Sequence, residues 1–312
     1  MAASSTSDLC YTTATELARR IRDREVSSTE VTEAFLARIA AHNDKLNAIV
    51  HLLERDAGSR AKEADEALAR GQIWGALHGV PVTIKEAFWI ANTPSTLNTK
   101  RMKDFIAPED GVLVRRIKSS GAVILGKTNV PANLQGYQVQ GDIYPEGKNP
   151  HRVECSPGGS SGGGAAAVAA GLTALELGAD GGGSLRVPAH FCGVFCLKPT
   201  DKTIPRYGMV PLPKKARGWL VNMAQPGPLC RSIDDLELLW KIIRGPDPSV
   251  LVWRRRHLRS TLAPARYSSN CLVHSSDRKC PGSCARSSQC SLRVGWPRGS
   301  RMWCGLWLAR SR

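Results

Sequence analysis

At 312 residues, 42% apolar and 22% charged, the chain is long enough to bury a sizeable core and ordinary in composition for a globular protein. No run approaches the roughly 18 apolar residues of a membrane helix, and the N-terminus MAASSTSDLC lacks the basic and apolar segments of a secretory signal, so a cytoplasmic location and no membrane partner are expected. A net charge of +16 would suggest nucleic-acid binding, but residues 249–312 alone hold 12 Arg, one Lys and one Asp, a net +12 that leaves only +4 for residues 1–248.

The first 248 residues read as α/β. Thr13-Ala-Thr-Glu16 and Ser27-Ser-Thr-Glu30 fit the capping-box pattern, in which side chains satisfy the exposed N–H groups that open a helix. Leu17 and Ile21, then Val31, Phe35 and Ile39, follow them at helical spacing. A third helix is predicted over Leu52–Arg70, rich in Ala, Glu and Arg and ending before Gly71. Gly79-Val-Pro-Val-Thr-Ile-Lys85 and Ala122-Val-Ile-Leu-Gly126 are short β-branched runs bounded by glycine, as buried strands are. Val112–Ser119 between them reads as a helix packed on the sheet.

Residues 249–312 form a second, unlike region. Trp253-Arg-Arg-Arg-His257 and the Ser/Arg/Cys/Trp mixture up to Arg312 keep no period of 2 or 3.6, and half of the 10 Cys fall there. Cys271, Cys280, Cys284, Cys290, His257 and His274 invite a zinc site, but their spacings match no common ligand pattern. A basic polyanion-binding tail is the second reading. The expectation adopted is a disordered segment or one read in a shifted frame.

Three segments carry chemistry: Gly79-Val-Pro-Val-Thr-Ile-Lys-Glu86, Ser156-Pro-Gly-Gly-Ser-Ser-Gly-Gly-Gly164 and Gly178-Ala-Asp-Gly-Gly-Gly-Ser-Leu-Arg-Val-Pro-Ala189. Taken singly, they are a strand end, a flexible linker and a bend. However, the Gly/Ser run leads straight into Ala165-Ala-Ala-Val-Ala-Ala170, which suggests backbone N–H groups converging at a helix start and suited to negative charge. No Gly-Lys-Ser/Thr follows the glycines, so this is not a phosphate-binding P-loop.

From Gly75 to Thr200 these motifs, together with Gly126-Lys-Thr-Asn129 and Phe191-Cys-Gly-Val-Phe-Cys-Leu-Lys-Pro-Thr200, closely resemble the amidase-signature family, with weaker likeness from about Thr13 to about Gly245. The intervals agree as well, Ser160 lying 75 residues after Lys85 and Ser184 lying 24 after Ser160. The resemblance implies an α/β amidase-signature fold, a mixed β-sheet core covered by helices, with its C-terminal part missing or replaced here. It implies Ser184 as nucleophile, Ser160 after a cis peptide as the bridging serine, and Lys85 as base. It further implies an oxyanion hole from the amides of Gly181, Gly182, Gly183 and Ser184, with Ser161 as a supporting hydrogen-bonder. Asp180 and Arg186 are expected to pin the glycine turn and Glu86 to stand behind the lysine; His78 and His190 receive no role.

A serine needs a base to become nucleophilic, and a lysine serves only when burial keeps it neutral. The function expected is hydrolysis of a small linear carboxylic amide to acid and ammonia or amine through an acyl-serine, without metal or organic cofactor. Ala179 and Gly181 depart from the family's usual Thr and bulkier residue, while Ile143-Tyr144 with Asn149-Pro150 leans toward the hydrolase members. The alternatives are an inactive truncated remnant whose basic tail binds polyanions, and the glutamine-dependent tRNA amidotransferase A-type subunit. Nucleic acid is otherwise disfavoured as a partner, and a homodimer is left open.

Overall fold

A computed structural model describes residues 6–210 and 223–246. The 249–312 region, with the cysteines and histidines weighed as zinc ligands, lies outside them.

A short helix, α1 (Thr6–Tyr11), precedes α2 (Ala14–Arg22) and α3 (Ser28–Leu46). Both of the latter start at the capping motifs. Thr13 Oγ1 accepts the Glu16 N–H, and Ser27 and Glu30 exchange side-chain and backbone bonds in a complete capping box. The edge strand β1 (Ile49–Leu52) follows, then α4 (Glu54–Ala69). The helix predicted from Leu52 therefore begins two residues later. Leu52 belongs to an edge strand paired with Gly126, too short to be told apart from the helical run beside it.

The remaining elements are β2 (Pro81–Lys85), α5 (Val112–Ser119), β3 (Val123–Thr128), α6 (Gly162–Ala169), β4 (Leu175–Asp180), α7 (Arg186–Cys192), β5 (Phe195–Cys196), β6 (Gln225–Cys230) and α8 (Ile233–Ile243). The sheet is mixed, in the order β1-β3-β2-β4-β6-β5. β2 runs parallel to β3 and β4, while β1, β6 and β5 are antiparallel to their neighbours. Every residue of β2, β3, β4 and β6 is buried, so these strands read as runs without alternation. β6 carries Pro226 and Pro228, which cannot donate to a ladder, and β5 pairs only with Cys230 and Leu229 beyond them.

Helix α6 lies against the centre of the sheet. Its glycines permit this approach: a Cβ on Gly164 would stand 2.5 Å from Glu176 Oε1. No helix among the described residues is long and apolar enough to cross a membrane.

Arg231, at the start of the turn into α8, ties the chain's first helices to its centre. Its guanidinium donates to the carbonyls of Val168 and Thr173 (both 2.8 Å), Cys10 (3.0 Å) and Thr12 (3.1 Å). Asp235 Oδ1 accepts from Thr15 N–H and Oγ1 at 2.8 and 2.9 Å on the same seam. Arg231→Met is expected to cost about 3 kcal/mol of unfolding free energy, because four carbonyls lose a charged donor at once; a urea titration against wild type reads it.

Candidate active site

Lys85 is the last residue of β2 and is 1% exposed. It pairs with Thr128 on β3, while Thr83, two residues earlier and on the same face, pairs with Glu176 on β4. Lys85, Thr83, Thr128 and Glu176 thus share one side of the sheet, the side on which α6 begins.

Lys85 Nζ lies 2.8 Å from both Ser160 Oγ and Ser161 Oγ and 3.3 Å from the Ala179 carbonyl. The Gly159–Ser160 peptide is cis. The two serines differ in what their protons do. Ser161 Oγ donates to Ala179 O at 3.1 Å and accepts the Ala179 N–H at 3.3 Å, so its hydrogen is committed to the β4 backbone. Among the described residues, Ser160 Oγ hydrogen-bonds only with Lys85. A neutral amine has two hydrogens and one lone pair, and of the two hydroxyls only that of Ser160 is free to donate into that lone pair.

Burial pulls the Lys85 pKa down to about 7 against the opposing pull of Glu176, Asp180 and Glu86. The partial positive charge at the start of α6 works in the same direction as burial. The amine is therefore poised between its two protonation states near neutral pH.

Ser184 sits in the turn between β4 and α7. Asp180, at the end of β4, organises that turn: Oδ1 accepts the Gly183 N–H at 2.7 Å, and Oδ2 accepts those of Leu185 and Arg186 at 3.1 and 3.3 Å. The Arg186 guanidinium closes on the same carboxylate through Nε at 2.9 Å and Nη2 at 3.0 Å. Burial pushes the Asp180 carboxyl up, but Arg186 and these amides outweigh it and hold the group below its ordinary value. Gly183 adopts φ +108°, a conformation side-chain-bearing residues rarely enter. Tyr137 Oη donates to the Gly182 carbonyl at 2.8 Å, and the Ser161 N–H donates to the Ser184 carbonyl at 3.0 Å.

The structure thus gathers Lys85, Ser160 and Ser161 into direct contact and fixes Ser184 beside them through the Ser161 backbone. Among the described residues, Ser184 Oγ has no hydrogen-bond partner, so the expected Ser160–Ser184 hydroxyl contact is not made. The expectation for the oxyanion amides also shifts, because the Gly183 N–H is spent on Asp180. The amides of Gly181, Gly182 and Ser184 are not held by that carboxylate.

Glu86 accepts from Thr96 N–H, Thr96 Oγ1 (2.9 Å) and Leu97 N–H (3.1 Å), fixing the loop that follows β2. Lys127, whose pKa burial lowers to about 8 against the pull of Glu86, donates to Pro94 O and to Ser95 Oγ (2.6 Å) in the same loop. His78 is buried, with Nδ1 accepting the Trp74 N–H and Nε2 paired with Ala64 O, while His190 is exposed on α7. Two participants had no sequence signal of their own. Tyr137 lies in a loop without periodicity, and Glu176 is a single acid in the apolar run Leu175-Glu-Leu177. Among the described residues, no group of three or more His, Cys, Asp or Glu is arranged to hold a metal ion.

Comparison with known proteins places this geometry in context. Residues 30–270 match the Amidase family model. The A-type subunit of glutamyl-tRNA(Gln) amidotransferase from Carboxydothermus hydrogenoformans is 39% identical over 241 residues, covering 77% of this chain and 48% of that protein. Its counterpart from Anaeromyxobacter dehalogenans is 37% identical over 257 residues, covering 82% and 51%. Among solved structures, native peptide amidase from Stenotrophomonas maltophilia superposes with a TM-score of 0.71 at 31% identity over 82% of this chain and 51% of its own. A 6-aminohexanoate cyclic dimer hydrolase complexed with substrate gives 0.68 at 32% identity over 77% and 48%. The chain spans about half the length of the curated relatives it matches.

The depressed pKa of Lys85 has a consequence for stability. The unfolded chain holds this proton up to the ordinary lysine pKa, whereas the folded chain releases it near 7, so burial of Lys85 costs most at low pH and less as pH rises between the two values. Lys85→Met is therefore expected to stabilise the fold, with a larger gain at about pH 6 than at about pH 9 in paired urea titrations.

Proposed function

The chain belongs to the amidase family, and on that premise we propose that it cleaves a linear carboxylic amide through an acyl intermediate on Ser184. The observation that carries this reading is the contact between a fully buried, readily neutralised Lys85 amine and the one hydroxyl, that of Ser160, whose proton is uncommitted.

As Ser184 Oγ attacks the amide carbonyl, its proton passes to Ser160 while Ser160 passes its own to Lys85 Nζ. The unpartnered Ser184 hydroxyl turns toward Ser160 Oγ to make that link, while Ser160 keeps its contact with the amine. Charge developing on the carbonyl oxygen is met by the amides of Gly181, Gly182 and Ser184, each worth roughly 3–4 kcal/mol in comparable sites. Asp180 and Tyr137 hold this turn by the backbone, so its donors need no reorganisation during attack. Collapse of the tetrahedral adduct breaks the C–N bond as the ammonium of Lys85 returns its proton, through Ser160, to the leaving nitrogen. Water then repeats the sequence on the acyl-serine and releases the acid. Nothing in this route calls for a metal or an organic cofactor.

The substrate proposed is a small amide, the chain working in the cytoplasm and alone or as a homodimer, with residues 249–312 as a separate basic region. The amidotransferase relatives favour a second reading, ammonia release from glutamine within a larger assembly. Glutaminase activity that depends on partner subunits separates the two.

Intact-mass measurement after exposure to a fluorophosphonate tests the nucleophile. A single adduct on wild type, absent from Ser184→Ala and slowed by about two orders of magnitude in Lys85→Met, is expected. Well-folded wild type that takes up no adduct refutes the reading.

A further inference from the structure

Glu176 is fully buried on the same face of the sheet as Lys85, and the mechanism so far gives it nothing to do. Its Oε1 accepts from Thr128 Oγ1 at 2.6 Å, and Thr128 is the β3 partner of Lys85. Its Oε2 is buried without a hydrogen bond. The backbone of α6 at Gly164 presses on the same side chain, leaving no room for a Cβ between them. A carboxylate in such a place is costly, because an ionised acid needs its lone pairs filled. A carboxylic acid is not.

We propose that Glu176 is a positioning residue for Lys85: the two side chains share one proton inside the sheet, and the carboxyl holds it while Lys85 Nζ is the free amine that receives the proton of Ser160. The inference rests on the reading of Lys85 as base.

The other charged groups near the amine are already engaged. Asp180 is neutralised by Arg186 and three amides, and Glu86 by Thr96 and Leu97, with Lys127 beside it. Helix α6, which covers this face, has no ionisable side chain. Glu176 alone retains an oxygen with no donor. Its carboxyl is pushed up by burial to about 7, against the pull of the Thr128 hydroxyl and of Lys85, and so meets the value to which Lys85 falls. Ammonium with carboxylate and amine with carboxylic acid carry the same net charge, but the second arrangement buries no ions. Near neutral pH the neutral arrangement supplies a base that a permanently charged neighbour would have suppressed by holding Lys85 as ammonium.

Two measurements on the full chain test this. Infrared difference spectra across pH follow the carbonyl stretch of a protonated buried carboxyl in wild type, Glu176→Gln and Lys85→Met. The band is expected in wild type, absent from Glu176→Gln, and retained to higher pH in Lys85→Met, where the cation that favours ionisation is gone. Fluorophosphonate labelling of Ser184 across pH should show the acid limb of Glu176→Gln displaced to lower pH by about one unit or more, because Lys85 loses the carboxylate that raises its pKa. A carboxyl band that titrates identically with and without Lys85, or an acid limb unmoved in folded Glu176→Gln, overturns the proposal. Coupled infrared titration in a wild type that is never labelled leaves the shared proton standing and refutes Ser184 as nucleophile instead.

Discussion

The amine of Lys85 is the constraint around which the rest of the structure is arranged. An ammonium removed from water loses its hydration, and only partners of excellent geometry restore it. Here the amine is enclosed between the end of β2, the start of α6 and the Ala179 carbonyl of β4, with two hydroxyls as its closest contacts. These are partners that a neutral amine satisfies as well as a charged one. The result is an amine that gives up its proton near neutral pH.

Three carboxylates lie near that amine, and their different environments keep it from becoming an ordinary ion pair. Asp180 is drawn away by Arg186 and the glycine turn, so its charge fixes the backbone carrying Ser184. Glu86 is spent on the 96–97 amides and shapes the loop above the site. Glu176 lies deepest and least satisfied. The first acid thus holds the turn that carries Ser184, the second holds a loop, and the third lies on the side of the sheet that carries Lys85.

Lys85, Ser160 and Ser184 all fall within the 30–270 segment that matches the family, and that segment corresponds to about half of each longer relative. The shared half includes the parallel core β3-β2-β4, the strands that place the lysine and the aspartate. The same half superposes on structures as different as a peptide amidase and a cyclic dimer hydrolase.

By itself, the sequence determined the local elements and singled out Lys85, Ser160 and Ser184 as candidates. Capping residues at Thr13 and Ser27, β-branched runs ending in Lys85 and near Gly126, and the Gly/Ser block before an alanine helix are local signals, set by backbone hydrogen bonding and glycine's freedom. β6 was illegible because two prolines contradict a strand until its unpaired side is seen, and β1 because four residues beside a helix carry no period of their own. The family resemblance singled out Ser160 over its neighbour Ser161, and the tertiary structure supplied the physical difference between them, the Ala179 backbone that claims the Ser161 hydroxyl. Tertiary structure alone spent the Gly183 amide on Asp180 and brought Glu176 to the same side of the sheet as Lys85. Proton positions depend on burial and on partners remote in sequence, and contacts such as that of Lys85 Nζ with the Ala179 carbonyl, 94 residues away, set them here rather than any local motif.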